Sequence, residues 1–141
     1  MKIKIKIPGV LTIILLLAVS CRLDVIEPEI TSAAINQPVQ DSRLNFINYE
    51  LNAQNFSGNA SIPVNFTVNR ATLFLSVLAH NSGNIELEIT NNDQSIIFKS
   101  QFSNNFPAYN RRFTDQELSR LKLTITEFTG RLIVRMSAGL Q

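Results

Sequence analysis

The sequence contains few of the residue types on which catalysis and metal binding usually depend. It has one cysteine (Cys21), one histidine (His80) and no tryptophan. A nucleophilic Ser or Cys normally needs a neighbouring base, most often His, and a structural zinc site needs several Cys or His ligands. The motifs G-x-S-x-G and H-E-x-x-H are absent, and the five glycines form no phosphate-binding loop. We therefore expect a non-enzymatic protein with no catalytic residues, no metal site and no cofactor.

The first twenty residues have the three-part pattern of a secretory signal peptide. Lys2, Lys4 and Lys6 form a basic start, and an apolar stretch from Val10 to Val19 is followed by the small residue Ser20. This apolar stretch is about half the length that a transmembrane helix requires. The sequence therefore predicts a signal peptide over residues 1–20.

The residues at the end of this signal resemble the lipobox of bacterial lipoproteins. They are Ala18-Val19-Ser20-Cys21, and they include the single cysteine of the chain. The resemblance implies that Cys21 carries fatty acyl chains such as palmitate and becomes the new N-terminus. It also implies a lipid-anchored protein of the bacterial cell envelope, on the periplasmic or the surface face of the outer membrane. An ordinary secretory signal cleaved after Ser20 is the alternative, and it would leave Cys21 as an unpaired thiol.

The basic charge of the whole chain comes from the signal peptide. The net charge is +2 overall, but from residue 21 onward ten basic residues face eleven acidic ones, which gives −1. Binding to nucleic acid depends on clustered positive charge. We therefore expect no nucleic-acid partner.

Beyond the signal, the sequence divides into a tether and one domain. Residues 21–43 contain two prolines and no sustained hydrophobic period, which is typical of a linker that follows a lipidated N-terminus. Residues 44–141 show short runs with period-two alternation, which indicates strands. The pattern predicts an all-β domain, an antiparallel β-sandwich of about seven strands with immunoglobulin-like or jelly-roll-like topology. The predicted strands cover residues 44–51, 62–68, 71–79, 85–90, 95–99, 121–126 and 131–137.

Two connections carry specific predictions. Asn91-Asn92-Asp93-Gln94 favours a hairpin turn, because Asn and Asp tolerate left-handed backbone conformations. Thr129-Gly130 predicts a second tight turn, and Thr114-Asp115-Gln116-Glu117 is a capping box that predicts one short bridging helical turn. We expect the core to come from the inward positions of the strands, namely Val64, Phe66, Val68, Leu73, Leu75, Val77, Ile85, Leu87, Ile89, Ile97, Leu121, Leu123, Ile125, Leu132 and Val134.

The best candidate for a binding site is the polar-aromatic segment 102–112, which we interpret as a long inter-strand loop. It combines amides, three aromatic rings and two arginines that could contact an envelope protein or a glycan. The candidate binding residues are Asn104, Asn105, Tyr109, Arg111 and Arg112. The alternative function is a small-ligand carrier or an enzyme with a pocket in a β-barrel or sandwich.

Overall fold

A computed structural model describes residues 34–139 of the chain, and all of them belong to one compact unit. The predicted signal peptide, Cys21 and the tether up to residue 33 lie outside the described residues. Six strands and no helix are present in the described part: β1 (Val39–Arg43), β2 (Phe46–Pro63), β3 (Arg70–Thr90), β4 (Ile96–Phe102), β5 (Phe106–Thr114) and β6 (Arg120–Ala138). Within residues 34–139 there is accordingly no helix long and apolar enough to cross a membrane.

The six strands form one antiparallel sheet. Its order is β1-β2-β6-β3-β4, and β5 also pairs with β3. The first part of β3 pairs with β5 and its last part pairs with β4. The prediction of an all-β antiparallel domain is confirmed, whereas the structure has six strands in a single sheet in place of the seven strands of a two-sheet sandwich.

The sheet is sharply bent, and β3 shows this most clearly. A straight strand of 21 residues would be about 70 Å long. In the protein, Gln116 donates its backbone N–H to the carbonyl of Asn69, just before β3, and Ser119 donates to the carbonyl of Thr90, its last residue. Positions 116 and 119 are three residues apart, which spans at most about 11 Å of chain. The two ends of β3 therefore lie near each other, and the strand folds back on itself.

The bend runs through irregular pairings in the middle of the long strands. Register shifts occur between Ala53 and Gly58 in β2 and between Leu78 and Asn84 in β3. Asn55, Ala79 and Glu127 have positive φ values of 51°, 49° and 48°. An extra residue in one strand bends it and shifts the side-chain alternation. In β6 the buried positions accordingly change from odd numbers, as at Ile125, to even numbers, as at Phe128.

Hydrogen bonds across the bend hold the three strands in this shape. The backbone N–H of Asn55 donates to Oγ1 of Thr129 at 2.9 Å, and the backbone N–H of Glu127 donates to Oγ of Ser57 at 2.8 Å. Oγ of Ser82 donates to the carbonyl of Glu127 at 3.0 Å. Bulges leave backbone groups without ladder partners, and these side chains provide partners instead.

The core fills the space inside the bent sheet. Twelve of the fifteen predicted core residues are buried, whereas Phe66 and Ile97 are half-buried and Val68 is exposed. Val64, Phe66 and Val68 were predicted to share a strand, but β2 ends at Pro63. The buried hydrophobic residues outside the predicted set are Ile47, Tyr49, Leu51, Ala53, Ile62, Ala71, Phe98, Phe102, Phe113, Phe128 and Met136.

Three local predictions were wrong. The helical turn at residues 114–118 does not form, because this segment crosses between the two ends of β3 and its Glu117 carboxylate accepts from the Asn92 side chain at 3.3 Å. Gly130 lies within β6, so Thr129-Gly130 is not a turn. Most of the segment 102–112 is strand β5, not a loop. The hairpin turn after β3 is confirmed, with Ser95 donating to the side-chain oxygen of Asn91.

The sheet starts within the stretch 21–43 that we assign to the tether. Val39–Arg43 forms β1 and pairs with residues 46–50 of β2, and Ile35 forms a parallel bridge with Asn52. Asn36 supports this contact by exchanging two hydrogen bonds with the backbone of Gln54. The segment from Ile35 onward is therefore attached to the sheet along the β2 edge.

Candidate functional site

The structure distributes the five predicted binding residues over a short turn and an edge strand. Asn104 and Asn105 lie in the three-residue connection between β4 and β5, and the other three lie in β5. Among the described strands, β5 pairs with β3 alone, so its second backbone edge faces outward. Side chains alternate along a strand, and Tyr109 and Arg111 therefore point to the opposite side from Arg112. The five residues form two separate surfaces.

Asn105 supports the fold. Its side-chain oxygen accepts a 2.8 Å hydrogen bond from the backbone N–H of His80, which follows the positive-φ residue Ala79 in the bend of β3. The imidazole Nε2 of His80 lies 3.0 Å from the carbonyl oxygen of Gly83, and the ring packs at 5.8 Å from Phe128. His80 and Asn105 therefore fix the bend, which is a structural role for both residues.

Tyr109 belongs to an aromatic cluster that joins β4 to β5. The cluster consists of Phe98 and Phe102 in β4 and Phe106, Tyr109 and Phe113 in β5, with ring centroids about 6 Å apart. β4 and β5 pair with different parts of β3, so these rings connect the two halves of the bent sheet along one edge. Phe98, Phe102 and Phe113 are buried, Tyr109 is half-buried and Phe106 is 41% exposed.

Arg111 covers the buried end of this cluster. Its guanidinium carbon lies 4.8 Å from the ring centroid of Phe98 and 5.6 Å from that of Phe113. A guanidinium over an aromatic face is attracted by the ring quadrupole, and its stem shields the rings from water. Arg111 thus bridges β4 and β5, and its side chain is also exposed to solvent.

The exposed part of the cluster forms a small surface at the β4–β5 turn. We define the β5 surface as Asn104, Phe106, Pro107 and Tyr109. Phe106 and Tyr109 present ring area there, with centroids 6.1 Å apart, and Asn104 presents an exposed amide. Aromatic rings beside amide groups can stack on sugar rings and hydrogen-bond to their hydroxyls.

Arg112 lies on the other side of β5, at a cleft with a volume of about 510 Å³. The cleft is formed where the beginning of β3 meets the ends of β5 and β6. Its lining includes a second arginine, Arg70, together with Thr72, Thr114 and Ser137. Sequence reasoning missed Arg70, Thr72 and Ser137, because only the register of β3 with β5 and β6 places them beside Arg112.

Glu86 and Glu88, two acidic residues on one face of β3, are neutralised by lysines. Lys99 lies 2.8 Å from Glu86 and 3.8 Å from Glu88, and Lys122 lies 3.2 Å from Glu88. The hydrogen bond that Lys99 donates to the Glu86 carboxylate raises the pKa of Lys99. This ladder covers an outer face of the sheet and has the properties of a structural charge network. Among residues 34–139, no group of three or more His, Cys, Asp or Glu side chains could hold a metal ion.

Comparisons with known proteins give little further information on this site. No protein-family model matches the chain, and no curated protein matches it either. One similar solved structure is described as "BiXyn10A CBM1 APO", a carbohydrate-binding module. The two chains are 14% identical, and the match covers 74% of this chain and 71% of the other, with a TM-score of 0.35. At this TM-score and identity the likeness carries no argument about function.

Proposed function

We propose that the protein is a lipid-anchored lipoprotein of the bacterial cell envelope, and that its all-β domain binds a glycan or an envelope protein without catalysing a reaction. The domain would present outer faces and an edge as a β-sandwich does, because its single sheet folds around one core. The tether from Cys21 would hold these surfaces close to the membrane.

The observation that carries the binding proposal is the exposure of aromatic rings on the β5 surface. Phe106 is 41% exposed in a cluster whose other rings are buried or half-buried, and the exposed Asn104 lies two residues before it in the chain. Burying such a ring against a ligand removes apolar area from water, which contributes about 25 cal/mol per Å². The combination of rings and amides favours a glycan over a protein partner.

The anchoring proposal rests on the sequence Ala18-Val19-Ser20-Cys21 and is tested at Cys21. We expect the native chain, expressed in a bacterial host, to have the mass of residues 21–141 plus acyl groups, and to partition with the membrane fraction. The change Cys21→Ala should abolish the added mass, because the thiol that accepts the lipid is gone. Whole-protein mass spectrometry of both proteins measures this. Cleavage before Cys21 without any lipid would contradict anchoring and support simple secretion.

The binding proposal is tested by changes on the β5 surface that preserve the fold. We expect Phe106→Ala to weaken retention on immobilised envelope glycans about 5- to 30-fold, because it removes a stacking ring worth roughly 1–2 kcal/mol. Tyr109→Phe keeps the packing within the aromatic cluster and removes one hydroxyl, so it should have a smaller effect. Affinity electrophoresis in gels containing the glycan gives both values.

Ile96→Ala provides the matched control for this experiment. Ile96 is a 56% exposed apolar residue of β4, at the other end of that strand from the β4–β5 turn. If Phe106→Ala binds glycans as well as the native protein does, the β5 surface is not the binding site. If both variants lose binding equally, the effect is a general one of exposed apolar area.

A further inference from the structure

We propose that the cleft lined by Arg70 and Arg112 binds the acidic group of a glycan, either a carboxylate or a sulfate ester. We name it the arginine cleft and define it by Arg70, Thr72, Arg112, Thr114 and Ser137. This inference rests on the proposed role of the domain as a glycan binder, but it places the acidic group on a different surface from Phe106 and Tyr109.

The strand register brings the two arginines together. Thr72 of β3 lies opposite Arg112 of β5, and Arg70 lies opposite Thr114. Arg70 and Arg112 are therefore diagonal neighbours on one face of an antiparallel pair, at backbone positions about 7–8 Å apart. Ala71 and Phe113 between them are buried, which turns both arginines to the outer face. Side chains as long as arginine can converge on one anion from these positions.

No acidic side chain in the described part of the chain neutralises these arginines. The cleft lining contains no Asp or Glu, and neither arginine forms a salt bridge with a described residue. Other arginines of the sheet are engaged, since Arg131 and Arg135 pair with Glu50 and Arg111 stacks on Phe98. Two neighbouring positive charges repel each other, and an anion placed between them removes this repulsion.

The rest of the cleft suits a ligand rich in hydroxyl groups. Thr72, Thr114 and Ser137 each bring a hydroxyl that can donate and accept hydrogen bonds. Thr72 lies opposite Ser137 of β6 as well as Arg112, so these three side chains form a row across three strands. The volume of about 510 Å³ lies within the range of about 300–1,000 Å³ that is usual for small-ligand sites. An acidic sugar offers both the oxyanion and the hydroxyls that this lining recognises.

The test measures binding of defined oligosaccharides to the full-length protein in detergent by isothermal titration calorimetry. The probes are an oligogalacturonate, which carries carboxylates, a sulfated oligosaccharide and a neutral cello-oligosaccharide of equal length. We expect the native protein to bind at least one of the two acidic probes. The probe with the higher affinity identifies the acidic group. Arg70→Gln and Arg112→Gln should each weaken this binding about 10- to 100-fold, the usual effect of losing a charge-assisted hydrogen bond.

Arg120→Gln is the control with the same loss of charge. Arg120 is exposed, donates to Oγ of Ser61 at 3.0 Å and lies outside the arginine cleft. We expect it to change the affinity less than 2-fold. An equal loss in Arg120→Gln, or no binding of either acidic probe by the native protein, would overturn the proposal.

The failure of this inference can be separated from a failure of the proposed function. If envelope glycans bind the native protein through Phe106 but neither acidic probe binds, the inference alone is wrong. If the acidic probe binds and depends on Arg70 and Arg112, the arginine cleft stands even where Phe106→Ala has no effect. If no glycan of any kind binds, this inference falls together with the glycan part of the proposed function, and only an envelope protein is left as the partner.

Discussion

Replacing Gly83 with alanine should destabilise the domain by at least about 3 kcal/mol. Gly83 lies in the bend of β3 with a φ of +80°, a conformation that residues with a Cβ atom rarely adopt. A Cβ atom there would lie 2.3 Å from the carbonyl oxygen of Thr126 and 2.4 Å from the carbonyl carbon and oxygen of Glu127. These are backbone atoms of β6, so the clash can be relieved only by moving β3 and β6 apart. Urea unfolding followed by circular dichroism measures the loss.

Gly58→Ala provides the comparison for this prediction. Gly58 also lies near the bend, in β2, but a Cβ atom there would meet the ring of Phe56, at 2.9 Å, which is a side chain and can turn aside. We expect a smaller loss, about 1 kcal/mol. If Gly83→Ala were no more destabilising than Gly58→Ala, the close approach of β3 to β6 at the bend would be wrong.

Replacing Phe128 with alanine should lower the free energy of unfolding by about 3–5 kcal/mol. Phe128 is fully buried and is the largest of the fully buried side chains in the described part of the chain. It is also the first inward-facing residue of β6 after the bend, where it packs against His80. Truncation would remove the transfer free energy of the ring and leave a cavity that the bulged backbone around it cannot close. The midpoint of thermal or urea unfolding reports the change.

Phe106→Ala is the matched control, because it removes the same side chain from a 41% exposed position. We expect a loss of about 1 kcal/mol or less there. Comparable losses at Phe106 and Phe128 would contradict the assignment of Phe128 to the interior of the bent sheet. The small effect at Phe106 also makes this variant suitable for the binding experiments.

The local pattern of the strands could be predicted from the sequence, because burial follows the period of two. Leu73 and Leu75 alternate with the half-buried residues Thr72 and Phe74, and Ile85, Leu87 and Ile89 alternate with half-buried glutamates. Each of these runs is inward-facing in the structure, and the hairpin turn at residues 91–94 is where the Asn and Asp residues indicate it. Side-chain alternation is a local property, so a single sequence is enough to reveal it.

The continuity of the long strands could not be predicted in this way. His80-Asn81-Ser82-Gly83-Asn84 and Thr129-Gly130 are rich in residues that form turns, and we interpreted them as strand ends. The same residues form bulges, since a bulge also needs positive φ and close backbone approach. Whether the chain reverses or only bends there depends on cross-strand partners such as Ser57 and Glu127, which are far apart in sequence.

The candidate site shows the same limit. Residues 106–114 contain a proline and two arginines, a composition typical of loops. An edge strand tolerates all of them, because one of its backbone edges has no ladder partner among the described strands. Tyr109, Arg111 and Arg112 were placed in one binding loop, and the strand geometry separates Arg112 from the other two. The partnership of Arg112 with Arg70 follows from register alone, which sequence composition does not encode.

The position of β6 in the sheet has a consequence for how the chain folds. β6 is the last of the described strands in sequence, but it lies between β2 and β3 and pairs with both. Most contacts within the sheet thus join parts of the chain that are distant in sequence, a topology that folds slowly because loop closure must precede pairing. Until β6 is synthesised, β2 and β3 lack their common neighbour. A chain built this way cannot close its sheet until its last described strand is available.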